Sequence, residues 1–192
     1  MYITKDHTVS GEIFEVWRCV KCSGGFTQNV PDATTIGPYY AAESYVSHTD
    51  SDKGFINSIY HKVRRFSLLT KKKLVNTLAH KTSGTLLDIG AGTGAFVHTM
   101  QSGGWQVTGL EPDATAAKQA LLKYNIQLAP ADTIYTLGNQ GFDVITMWHV
   151  LEHVHDLHGY FKRFGELLQP SGVLVIAVPN YTSTDANIYG HH

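Results

Sequence analysis

Leu86-Leu87-Asp88-Ile89-Gly90-Ala91-Gly92-Thr93-Gly94 is the stretch whose reading decides the fold. An apolar run, Thr85 to Leu87, leads into an acid, and glycines then stand at alternate positions. Phe96, Val97 and Met100 follow at helical spacing. The pattern predicts strand, tight turn, helix. Glycine suits such a turn because some positions need φ > 0 and others let a ligand approach the backbone with no Cβ in the way. A helix that begins there turns free N–H groups toward the same ligand. The stretch reads as a cradle at the carboxyl end of a first core strand.

Working outward, the same rhythm repeats. Strands are expected at Thr85 to Ile89, Gln106 to Leu110, Ile126 to Ala129, Phe142 to Met147 and Val173 to Val178, the last stopped by Pro179. Helices are expected from Gly94 to about Ser102, from Ala114 to Tyr124 and from about Asp156 to Leu168. Near-continuous apolar strands alternating with helices mean an α/β fold, with a mostly parallel, doubly wound sheet covered on both faces.

The glycines alone do not choose the ligand, because Gly90, Gly92 and Ala95 also fit the dinucleotide fingerprint G-x-G-x-x-G/A. Asp88 tips the balance. A carboxylate two residues before the first glycine suits a cationic group such as an α-amine and would repel a pyrophosphate. Glu111 ends the second strand, 21 residues after Gly90, where a doubly wound fold places the acid that grips ribose hydroxyls. A carboxylate can accept both hydroxyl hydrogens.

Here the sequence resembles the class I S-adenosylmethionine (SAM)-dependent methyltransferases, whose first motif is D-x-G-x-G-x-G. Asp143 to Val154 resembles the fourth motif of a branch that includes ubiquinone-type O-methyltransferases, and Gly172 to Asn180 resembles its strand-five motif. Four motifs agree in order across residues 85 to 180, about half the chain. The resemblance implies a Rossmann-like fold and SAM as cofactor, with S-adenosylhomocysteine as product. The cofactor-binding set expected from it is Asp88, Gly90, Ala91, Gly92, Gly94, Glu111, Pro112, Asp132, Trp148 and His149. Asp88 serves the methionine amino end, Asp132 accepts from the adenine amino group, and Trp148 and His149 wall the pocket. His149 is also the candidate general base, since imidazole titrates near neutrality.

Other patterns were weighed against this one. His149-x-x-Glu152-His153 matches a zinc-peptidase pattern that needs both histidines on a helix, but His149 is expected at a strand end. Ubiquinone-type relatives hold a divalent metal near here with two glutamates and a histidine. This chain keeps Glu152 and His153 but has His149 in place of the first glutamate, so no metal is expected.

The amino-terminal part is less regular. Residues 1–50 are read as a knuckle and a lid-like segment, 51–83 as helical, and 84–192 as the SAM-binding core. Glu12 to Val20 and Phe26 to Val30 suggest a strand pair, turning at Cys22-Ser23-Gly24-Gly25. Cys19 and Cys22 make a C-x-x-C knuckle that looks like half of a zinc ribbon, but a structural site needs four ligands and even His7 leaves it short. Pro38 to Asp50, with Tyr39, Tyr40, Tyr45 and His48, suits either a lid or a loop over the core's edge. One helix is expected from Asp52, burying Ile56, Ile59, Val63 and Phe66. A second is expected from Thr70 as N-cap, burying Leu74, Val75 and Leu78. The cluster of Lys62, Arg64, Arg65 and Lys71 to Lys73 suits attraction of an acidic substrate or RNA, but is read as a solvated helix face.

Composition bounds the rest. A 43% hydrophobic fraction in 192 residues supports a real core. A net charge of −1 points away from nucleic acid and anionic membrane. The opening residues are polar and no apolar run reaches spanning length, so a cytoplasmic setting is expected. The reading is a SAM-dependent methyltransferase acting on a small molecule such as a hydroxylated metabolite or sugar. The rivals are a non-catalytic SAM-binding module and a nicotinamide-dependent oxidoreductase. Class I relatives have seven strands. This chain offers five, so the fragment of a longer enzyme is expected, with self-association through an exposed strand-five edge.

Overall fold

The computed structural model describes residues 2–7, 9–32, 35–40, 55–139, 141–180, 182–184 and 188, without the side chains of 2, 37, 40 and 55–59. The chain divides into two compact units, one of residues 1–50 with 180–192 and one of residues 51–179.

The smaller unit carries a three-stranded antiparallel sheet of β1 (Tyr2–Lys5), β2 (Ile13–Arg18) and β3 (Gly25–Thr27), in that order. The β2–β3 pair is the expected hairpin, and β1 is an addition to it. The knuckle turns at its tip, where the Cys19 N–H donates to the Gly24 carbonyl at 2.8 Å. Both cysteines are free thiols, and backbone N–H groups of Cys22 and Lys21 hold the Cys19 thiol below its ordinary pKa. Among the described residues no three His, Cys, Asp or Glu side chains gather into a metal-binding group. The Tyr39 hydroxyl donates to Glu12 at 2.6 Å. Tyr45 and His48 of the expected lid lie outside the described residues.

The larger unit is the α/β core. Its sheet has the order β5–β4–β6–β7, all parallel: β4 (Gly84–Ile89), β5 (Trp105–Leu110), β6 (Phe142–Trp148) and β7 (Leu168–Ala177). The helices are α1 (Phe55–Ala79), α2 (Ala95–Gln101), α3 (Ala114–Tyr124) and α4 (Leu157–Leu167). Leu87, Ile89, Ile145 and Met147 pack on one face with Phe164 and Leu167 of α4. Leu86, Val144 and Val175 pack on the other with Val75 of α1 and Phe96 and Met100 of α2. This is the doubly wound arrangement that the strand patterns imply.

Three expectations are corrected. The third strand, Ile126 to Ala129, is reduced to one bridge between Leu110 and Ala129. Ile126 is buried beside Val97, with Leu128 packed against the same cluster, so packing accounts for the apolar run without a full ladder. The two expected helices before the core are one. Thr70 caps nothing: its hydroxyl donates to the Phe66 carbonyl one turn back, a bond compatible with an unbroken helix. The buried stripe of α1 is also different. Val63, Phe66, Leu74 and Leu78 are exposed, whereas Val75 is fully buried as expected, with Leu68 and Ala79 packed against its cluster. Ile56 and Ile59 are among the side chains not described.

Candidate active site

The site is built on the carboxyl ends of β4, β5 and β6. Strand alternation decides which residues face α1. Asp88 and Thr146 are register partners on β4 and β6, and Trp148 follows Thr146 by two residues on the same face. Asp88 is 1% exposed and accepts a hydrogen bond from the Thr146 hydroxyl at 2.7 Å. Burial pushes its pKa up to about 7, against the opposing pull of the Thr146 hydrogen bond and the Lys71 charge.

α1 brings cations to this end of the sheet. Arg64 and Lys71 stand seven residues apart on the stripe that carries Leu68 and Val75. Arg64 Nη2 donates to Thr93 Oγ1 at 3.1 Å, inside the glycine turn. Lys71 Nζ lies 4.5 Å from the centre of the Trp148 ring, and burial lowers its pKa. The two residues correct the reading of the basic cluster as solvated throughout. The Trp148 indole N–H is buried and has no hydrogen-bond partner among the described residues. A buried unpaired donor costs about 1–3 kcal/mol, so an acceptor there would be stabilising.

The turn uses the left-handed conformation that glycine adopts without strain. Gly90, Gly92 and Gly94 have φ of 73°, 55° and 75°. A Cβ on Gly90 would stand 2.3 Å from Val150 Cγ2, so here glycine also makes room for the loop after β6. Its amides are more committed than expected. The N–H groups of Gly90 and Ala91 both donate to the Leu110 carbonyl, at 2.8 and 2.9 Å. Gly92 N–H donates to Glu111 Oε2 at 2.6 Å. The other oxygen, Glu111 Oε1, accepts from Asp113 N–H at 2.9 Å. A carboxylate has about four acceptor positions, so Glu111 ties the turn to β5 and keeps capacity for two hydroxyls.

Pro112 follows Glu111 on the surface. Asp132 is exposed on a single helical turn, Ala131–Tyr135, that follows the Ala129 bridge. His149 leaves β6 with φ of 59°, a left-handed conformation uncommon for a non-glycine residue. Its side chain is 62% exposed, with Nδ1 3.8 Å from Glu152 Oε1. The donor set fits a SAM-type ligand: acids at the ends of β4 and β5, a third beyond the bridge, and a cation with an orphaned N–H beside the first.

A family profile described as Methyltransferase domain matches residues 60–192, more than half of the chain. The chain belongs to this methyltransferase family. Its fold is that of the class I SAM-dependent enzymes, for which SAM is the cofactor.

Among curated proteins, this methyltransferase is 31% identical over 100 residues to a ubiquinone biosynthesis O-methyltransferase of Rhodopseudomonas palustris, matching 50% of this chain and 40% of the relative. It is 32% identical over 105 residues to the Caulobacter vibrioides protein of the same name, matching 51% and 42%. The chain thus spans about 40% of the length of the curated relatives it matches. Among solved structures, DesVI of Streptomyces venezuelae superposes with a TM-score of 0.52 at 22% identity, covering 61% of this chain and 51% of that one. A Haemonchus contortus phosphoethanolamine N-methyltransferase in complex with SAM gives 0.51 at 22%, covering 62% and 31%. At these identities the likeness concerns the fold.

The expected residues Asp88, Gly90, Ala91, Gly92, Gly94 and Glu111 meet around one turn, with Trp148 and His149 at the end of β6. Thr146, Lys71 and Arg64 were missed. Thr146 had a signal, a hydroxyl inside an otherwise apolar strand. Lys71 and Arg64 had one in the basic cluster, but nothing in the sequence separated these two from their solvated neighbours.

Proposed function

We propose that this chain binds SAM over the carboxyl ends of β4 to β6 and directs methyl transfer to a small-molecule acceptor. The observation that carries the reading is the pair of carboxylates flanking the glycine turn, Asp88 buried at the end of β4 and Glu111 at the end of β5. Their positions suit a ligand with a cationic amine at one end and a ribose at the other.

When bound, SAM supplies an electrophilic sulfonium methyl group. The chain's residues supply binding, orientation and exclusion of water. Glu111 accepts from the ribose hydroxyls, and Asp132 accepts from the adenine amino group. Asp88 holds the α-ammonium, while Lys71 and the unpaired Trp148 N–H face the carboxylate. Gly92 lets the backbone lie close to the ligand. His149, exposed at the rim, takes the proton that an acceptor hydroxyl releases.

A hydroxyl acceptor, on a hydroxylated metabolite or a sugar, is favoured by the two O-methyltransferase relatives. A small molecule is favoured over nucleic acid by the near-neutral charge. Among the described residues no helix is long and apolar enough to cross a membrane.

Calorimetry with SAM, S-adenosylhomocysteine and NAD tests the cofactor, and a metabolite screen with labelled SAM tests turnover. Binding of NAD alone would overturn the reading. Binding of SAM without labelling of any acceptor would leave a binding module in its place.

A further inference from the structure

Arg163 lies outside the site as described, yet it holds one of its walls. The guanidinium leaves α4 and is only 12% exposed. Nε donates to the Ile134 carbonyl at 3.0 Å and Nη2 to the Leu137 carbonyl at 2.8 Å. Nη1 donates to Asn139 Oδ1 at 3.2 Å and to the Glu166 carboxylate, which neutralises the buried charge.

All but the last of these partners belong to the segment between the Ala129 bridge and β6. Besides Arg163, side-chain ties reach that segment through Tyr135, whose hydroxyl donates to Asp156 at 2.9 Å and whose ring packs edge-on against Tyr160. The segment's backbone bonds are turn bonds, such as Thr133 N–H to Pro130 and Leu137 N–H to Thr133, and Ile134 is its buried anchor. No ladder fixes it beyond Ala129 among the described residues. A rigid guanidinium fork that spans two carbonyls three residues apart therefore sets where the turn sits. Asp132 is two residues before the first of those carbonyls, on the exposed side of the turn, and its carboxylate accepts no hydrogen bond among the described residues.

We propose that Arg163 is a positioning residue for base recognition: by clamping the carbonyls of Ile134 and Leu137, it holds the Asp132 carboxylate where it discriminates a base bearing an amino donor from one bearing an oxygen. The proposal rests on the reading of Asp132 as the adenine acceptor. Lysine cannot replace Arg163, because a single ammonium does not reproduce the fork.

The test compares affinities for S-adenosylhomocysteine and its 6-oxo, hypoxanthine counterpart by calorimetry. The proteins are the parent chain, Asp132→Ala, Arg163→Lys and Arg163→Met. The parent chain should prefer the adenine compound by roughly ten- to hundred-fold, the range for a hydrogen bond to a charged group. Asp132→Ala and both Arg163 variants should lose that preference and bind the hypoxanthine compound about as well as the parent chain does, within roughly two-fold. A merely structural role would weaken both ligands alike and leave the ratio unmoved, which would overturn the proposal.

Preference retained in Asp132→Ala would overturn the reading of Asp132 and the proposal with it. Preference lost in Asp132→Ala but kept in Arg163→Lys would overturn the proposal alone. Should Arg163→Met not fold, hydrogen exchange on Arg163→Lys decides. Amides of residues 131–137 should exchange at least about ten-fold faster while those of β4 are unchanged, and unchanged exchange at 131–137 would overturn the proposal.

Discussion

The Thr146 hydroxyl sits 2.7 Å from Asp88 Oδ1 and donates to it, across the register pair that joins β6 to β4. It is the direct partner of a carboxyl that is otherwise buried, and one hydrogen bond does not offset that burial. Asp88 consequently titrates near 7 instead of at its ordinary value of 3.8.

A pH dependence follows, with opposite signs for ligand-free stability and for binding. The folded carboxyl keeps its proton up to about pH 7, whereas the unfolded one loses it near 3.8. Between those values the folded state binds more protons, so this group's contribution to stability falls as pH rises. An ammonium ligand needs the ionised form, so SAM affinity should rise through about pH 7. Asp88→Asn should melt closer to, or above, the parent chain at pH 8 than at pH 4, while binding SAM weakly at every pH. Scanning calorimetry at pH 4 and 8 and titrations across pH 5 to 8 check the two halves. Affinity in the parent chain that is flat with pH would remove Asp88 from the amine site.

The glycine turn should separate folding from binding. Gly90→Ala places a Cβ against Val150 at a φ of 73°, and should cost roughly 1–3 kcal/mol of stability, read from the urea midpoint. Gly92→Val puts a β-branched residue at a φ of 55°, which also strains the turn, and in the proposed site it should abolish SAM binding in the fraction that still folds, measured at matched folded concentration. Full SAM affinity in Gly92→Val would refute the cradle.

The turn and its flanking acids were legible because each is a local signal. Glycine spacing, an acid at a strand end and a near-continuous apolar run before it are short-range patterns that do not depend on distant neighbours. The ends of α3 were legible for the same reason: Asp113 accepts from the Thr115 and Ala116 N–H groups, and Asn125 closes the helix in a left-handed conformation. What was lost depended on tertiary packing. Amphipathicity placed Val63, Phe66, Leu74 and Val75 inside; Val75 is there, but the α1 face turned to the sheet also carries Arg64 and Lys71, and the other three are exposed. The Ile126 to Ala129 run had the composition of a strand, but the neighbours that bury Ile126 come from elsewhere in the chain. Arg163 has no sequence signal, since its partners are the backbone carbonyls of Ile134 and Leu137.

The open flank of the sheet should have a measurable consequence. Among the described residues β7 pairs only with β6, leaving one side of a ten-residue strand without a partner strand. Unpaired edges template pairing with other chains. Sedimentation velocity should show the average mass rising with concentration. A single monomeric species over the whole range would reject self-association through this edge.

Lys71 allows the sharpest test, because its charge acts on Asp88 and, in the proposed site, on the ligand as well. Its ammonium is half-buried over the Trp148 ring, and its charge favours ionised Asp88. Lys71→Met removes that charge, so Asp88 should titrate above about 7 and the pH at which SAM affinity rises should move upward. Affinity at pH 8 should also fall, by about 1–3 kcal/mol for a lost charge-assisted contact. Lys71→Arg keeps a cation and should preserve the pH midpoint, even if the altered geometry weakens binding. Thr146→Val should shift the midpoint in the same upward direction, because it removes the hydrogen bond that favours the carboxylate. Titrations of the three variants across pH 6 to 9 separate these effects. A Lys71→Met midpoint equal to that of the parent chain would mean that Lys71 and Asp88 do not act on one zwitterionic ligand end.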